Sequence, residues 1–217
     1  MHPNSWGQNA RVRDRTFENL YPPFVTFRGK GADVSAADKL VEEGEMKLAE
    51  MDFKTAFAKF KKAVETDPNN ARAYFGRAEA ALGLEKVSPG DILRDYRKAA
   101  ELDPEQAGLY LSSLGAFNVS IGQLAQAEAG YKEAAAKDPE NAVQYLTDFA
   151  VLYYQNKMGE SEEMDKAEMD AIRYQTLVYF CNALGLTPED AVELLTKKPQ
   201  PPAPRPMVVA EESDEET

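Results

Sequence analysis

Small and bulky apolar positions recur in a fixed order along the middle of the chain, and each cycle ends at a proline. The first cycle carries Leu40, Gly44, Ala56, Phe60, Ala63 and Pro68. The second carries Tyr74, Ala78, Ala81, Ile92, Tyr96, Ala99 and Pro104, with two extra residues around VSPG. The third carries Leu111, Leu114, Gly115, Ala127, Tyr131, Ala134 and Pro139. Four segments end alike, in AVETDPNN, AAELDPEQ, AAAKDPEN and ALGLTPED, and their prolines (Pro68, Pro104, Pro139, Pro188) are 36, 35 and 49 residues apart. Proline cannot continue a helix and drives the residue before it out of the α region, so each motif predicts a helix stop at Asp67, Asp103, Asp138 or Thr187. Two residues later Asn70, Asn141 and Asp190 predict N-caps for the next helix, with Gln106 a poorer one. The pattern predicts an all-α chain of helix pairs.

The order and spacing resemble tetratricopeptide repeats, the third cycle most closely, over residues 37–198. The fold that this resemblance implies is a right-handed α-solenoid of antiparallel helix pairs. About four repeats are expected, at 37–70, 71–107, 108–141 and 142–190, with a capping helix at 190–198. Gly44, Ala78 and Gly115 let the two helices of a pair approach closely, and Phe60, Tyr96 and Tyr131 fill the space toward the next pair. The fourth repeat departs from the pattern. Phe149 stands where glycine or alanine is expected, Thr176 replaces an alanine, and about fifteen residues are added. Met164, Ala167 and Ala171 recur there at helical spacing, which predicts a lengthened second helix. In the short last helix Val192 and Leu195 are expected on the inner side.

In the family, one stripe of each first helix lines the concave face. Carried over, that stripe includes Val41 and Glu45, then Arg72, Phe75 and Glu79, then Leu109, Ser112 and Val119, and finally Val143, Leu146, Tyr153 and Tyr154. Charged at its start and apolar at its end, such a groove suits an amphipathic helix or an extended apolar segment. Tyr153 and Tyr154 have a second reading, as packing beneath the long fourth-repeat helix. The clamp by which related co-chaperones hold a heat-shock chaperone's terminal carboxylate would fall on Val41, Glu45, Gly76, Leu109 and Ser113. None offers a cation or an amide, and Glu45 would repel the ligand, so this mode is not expected.

Two tails flank the repeats. Residues 1–36 hold Trp6, Phe17, Tyr21, Phe24 and Phe27, and five basic against three acidic side chains, in a pattern that reads as an extended arm. Freely disordered segments are poor in aromatics, so the arm is expected to dock, on its own solenoid or on another subunit. Residues 199–217 are proline-rich and then acidic: an extended polyproline spacer and a solvated, disordered tail, with Ser213 resembling an acidophilic kinase site.

The net charge of −12 disfavours nucleic acid as a partner. No apolar run is long enough to span a bilayer, and the start of the chain lacks the apolar core of a secretory signal. With one cysteine, Cys181, no internal disulfide can form, and the expected location is the cytoplasm or another reducing soluble compartment, an organelle interior included. One histidine and one cysteine make neither a metal cluster nor a nucleophile–base pair, and RGKG at 28–31 is too short for a phosphate loop. No cofactor and no catalysis are expected. The resulting expectation is a protein-binding adaptor or assembly factor that takes a peptide or helix of its partner. The alternative is an accessory subunit of a large multiprotein complex, anchored by the arm.

Overall fold

The computed structural model describes residues 35–159 and 164–196, with side chains to residue 193. The aromatic arm, apart from its last two residues, and the tail beyond residue 196 lie outside the described residues. Among those described, the chain is all helix: α1 (Ala36–Ala49), α2 (Phe53–Thr66), α3 (Ala71–Ala81), α4 (Pro89–Leu102), α5 (Ala107–Ser120), α6 (Leu124–Lys137), a 3₁₀ turn (Pro139–Asn141), α7 (Ala142–Gly159), α8 (Lys166–Leu184) and α9 (Pro188–Thr196). Each helix packs on the next, and first helices also pack on first helices, α1 on α3 and α5 on α7. This is an α-solenoid of antiparallel pairs with a short helix at its end.

Local chemistry sets the boundaries. Asp52, Asn70, Ser88 and Asp165 cap α2, α3, α4 and α8 through their side chains, the last with a reciprocal bond from Glu168. Asp67, Asp103 and Asp138 close α2, α4 and α6 just before proline. Gln106 makes no capping bond, as its side chain predicts. Two expected caps are corrected. Asn141 is the last residue of the 3₁₀ turn, which Asp138 caps, and α7 follows it directly. The final helix starts at Pro188 rather than 190, because proline fits the first turn of a helix as well as it ends one. There the Thr187 hydroxyl accepts from the Asp190 amide at 3.1 Å, and Asp190 accepts from the Thr187 amide at 2.9 Å.

The core follows the repeat residues. Phe60 is fully buried and lies against Gly44 of its own pair and Gly76 of the next; a Cβ at Gly76 would sit 2.2 Å from its ring. Tyr131 fills the same place in the third pair, where a Cβ on Gly115 would come within 2.7 Å. Burying a large ring of this kind contributes roughly 2–3 kcal/mol. In the fourth pair Phe149 is buried, 5.7 Å from the Tyr131 ring and 4.9 Å from Tyr179. An aromatic cluster thus replaces the ring-on-glycine seat, which accounts for the departure of this pair from the repeat pattern. The added residues lengthen both helices of that pair, α7 to 18 residues and α8 to 19. Val192, expected inward, is 54% exposed. The nine-residue α9 packs on α8.

Candidate protein-binding groove

The face built by the first helices, α1, α3, α5 and α7, begins with charges that satisfy one another. Arg72 on α3 donates from Nη2 to both carboxylate oxygens of Glu45 on α1, at 2.7 and 2.9 Å. Beside this pair, Asn70 donates to Asp38 at 3.1 Å. These contacts join the first pair to the second across two helices, so Glu45 is not a free repulsive charge. Glu79, further along α3, is half-buried and accepts from the Tyr96 hydroxyl at 2.7 Å. Burial pushes its carboxyl up to about 7, and the Tyr96 hydrogen bond only partly opposes that. Among the described residues no cation pairs with it.

Apolar positions of the stripe divide into two groups. Val41 is 0% exposed and Val119 only 5%, so both belong to the core and offer nothing to a partner. The reason is helix rotation: α1 turns Val41 onto the Phe60 cluster. Phe75, Leu109, Ser112 and Leu146 are half-buried, and Val143 is 50% exposed. Phe75 is fixed by the rings of Tyr96 and Tyr110, at centroid distances of 5.9 and 5.0 Å.

Of the two tyrosines expected at the far end, Tyr153 packs edge-on against Tyr179 of α8 at 5.1 Å and against Phe149 at 6.3 Å. The packing reading therefore holds for Tyr153. Tyr154 is half-buried on α7. The Tyr179 hydroxyl donates to Glu128 at 3.2 Å, and burial, followed by the Glu128 charge, pushes it up to about 12.

Positions equivalent to the carboxylate clamp are unsuited to an anion in space as well. Val41 and Ser113 are buried, Gly76 lies under the Phe60 ring, and Glu45 is held by Arg72. Sequence reasoning missed the Arg72–Glu45 pair, although both residues fall on the expected stripe. Their opposite signs at neighbouring positions of consecutive repeats were the available signal.

Among the described residues no group of three His, Cys, Asp or Glu side chains could hold a metal ion, and no helix is long and apolar enough to cross a membrane. Cys181 is buried. Trp6, Phe17, Tyr21, Phe24 and Phe27, the expected docking arm, lie outside the described residues.

Rings seated on glycine in the first and third helix pairs are the arrangement that the resemblance to tetratricopeptide repeats implies. No family model matches the chain. A curated relative, Protein STIP1 homolog from Dictyostelium discoideum, is 32% identical over 92 residues, covering 42% of this chain and 16% of the relative. The aligned segment is thus a small part of that longer protein. Among solved structures, a crystal structure of MamA protein is similar at a TM-score of 0.46 and 18% identity, over 76% of this chain and 98% of its own. A second MamA structure aligns at a TM-score of 0.43 and 18% identity, over 75% of this chain and 99% of its own.

Proposed function

We propose that this protein is a non-catalytic adaptor or assembly factor that binds a peptide or helix of a partner along the face of its first helices. The supporting observation is that Phe75, Leu109, Leu146 and Val143, on three successive first helices, stay partly open, whereas Val41 and Val119 are buried. Half-open apolar side chains on rigid helices can anchor an amphipathic segment without paying for reorganisation. The Arg72–Glu45 pair sets the register of charge at one end. With its charges already matched, that end asks little of a partner electrostatically.

Val143→Glu combined with Leu146→Glu tests this reading in the full chain. Both positions are open enough to leave helicity and thermal midpoint near wild type. Affinity capture followed by mass spectrometry is expected to recover a partner with wild type and lose it with the variant. Recovery of the same proteins in equal amount by both would sink the proposal.

A further inference from the structure

A second surface lies away from the first-helix face, where α2, the α3–α4 loop and α4 enclose a cleft of about 720 Å³. Its floor is apolar, made by Phe57, Leu84 and Val87. Its acids Asp95 and Asp91 are already matched: Arg77 grips Asp95 through two bonds of 2.6 and 2.7 Å, and Arg94 holds Asp91 at 2.6 Å. Lys54, Lys61 and Lys86 on its walls are exposed and enter no ion pair among the described residues, with Glu85 in the lining and Asp52 near Lys54 the carboxylates beside them. The cleft is a positive site with an apolar base on a chain of net charge −12.

The same chain carries the complementary sequence. Met207, Val208 and Val209 are followed by Glu211, Glu212, Asp214, Glu215 and Glu216, an apolar triplet and then five carboxylates within six residues. Alternation of direction from helix to helix, carried through the short α9, would bring its end to the same edge as the α3–α4 loop. From α9 the contacts run to α4 through α8, α7 and α5, and four helix-to-helix steps amount to roughly 40 Å. The fourteen residues 197–210 would reach about 45 Å if fully extended.

We infer that the cleft between α2 and α4 is the docking site of the chain's own acidic run, residues 211–217, with its carboxylates on the three lysines. The interaction is intramolecular and salt-sensitive, since exposed lysines are screened over about 8 Å at physiological ionic strength. It is independent of the first-helix face and stands or falls separately from the binding proposed there.

Zero-length carbodiimide coupling of the full chain, with peptide mapping by mass spectrometry, tests it. An equal mixture of ¹⁵N-labelled and unlabelled protein separates coupling within a chain from coupling between chains. The expected result is amide links from Glu211–Glu216 to Lys54, Lys61 or Lys86 within one chain. They should be lost in high salt and lost in the Lys54→Glu, Lys61→Glu, Lys86→Glu variant at unchanged helicity. Links spread evenly over the surface lysines would overturn the inference, as would mixed-isotope links only, or links that survive the triple charge reversal.

Discussion

The Tyr96 hydroxyl donates to Glu79 at 2.7 Å, joining the second helix of the second pair to a half-buried carboxyl on the first. No cation stands beside that carboxyl among the described residues, so its ionisation near neutral pH is resisted by burial. Raised from 4.5 to about 7, its folded-state pKa lies above its unfolded value. The folded protein then binds the extra proton, and this contribution to stability is full below pH 4.5 and lost as pH rises through 7. Glu79→Gln keeps an acceptor for Tyr96 and removes the titration. Relative to wild type it should gain stability between pH 5 and 8 by an amount on the order of 3 kcal/mol. Urea unfolding of both proteins at the two pH values reads the difference; parallel curves would place the charge in solvent.

Gly76→Ala places a methyl group inside the space of the Phe60 ring. Phe60 is held by Gly44 on its other side, so it cannot retreat without moving a helix. The cost expected in chemical denaturation is about 1–3 kcal/mol. Gly90→Ala is the control: the nearest atom to its Cβ would be the Ser88 hydroxyl at 3.9 Å, and helix propensity favours alanine there.

Asp95 has a side chain only 8% exposed and holds Arg77, 19% exposed, through two hydrogen bonds. Asp95→Ala should cost about 3–5 kcal/mol, because it strands a partly buried guanidinium. The double variant Arg77→Met, Asp95→Leu should recover most of that loss by removing both charges. A double variant as unstable as the single one would mean that the pair itself, rather than the stranded charge, carries the energy.

The turn between α1 and α2 puts Met51 at φ 58, where the equivalent turn between α5 and α6 uses Gly122 at φ 77. Both turns bond alike, Met51 N to Leu48 O at 2.9 Å and Gly122 N to Val119 O at 3.0 Å. Met51 is 71% exposed, so its side chain gains little from packing to offset the left-handed backbone. Met51→Gly should therefore stabilise the protein by about 0.5–1 kcal/mol, the relief of strain exceeding the added freedom of the unfolded chain. A thermal midpoint that rises confirms it; one that falls would show that the turn tolerates methionine without cost.

Much of the framework is legible before folding is considered. The residues Gly44, Phe60, Gly115 and Tyr131 mark which helices touch, since a ring and a missing Cβ at matching offsets have one economical arrangement. Phe149 was legible only as an irregularity. Its meaning required Tyr179, thirty positions along the chain, whose ring lies 4.9 Å away. Pro188 misled for a reason internal to proline, which suits both the stop of one helix and the first turn of the next.

Taken alone, the sequence determined the helix pairs, the aspartate–proline stops that separate them and the ring-on-glycine seats of the core. These depend on backbone sterics and a 3.6-residue period, which act within a few turns of chain. The tertiary structure alone decided which stripe residues remain available. It buried Val41 and Val119, left Val143 open, matched Glu45 with Arg72, and gathered the exposed Lys54, Lys61 and Lys86 around one cleft. Those outcomes depend on the rotation and register of one helix against another. Side chains many residues apart set that register by packing, so no local pattern encodes it.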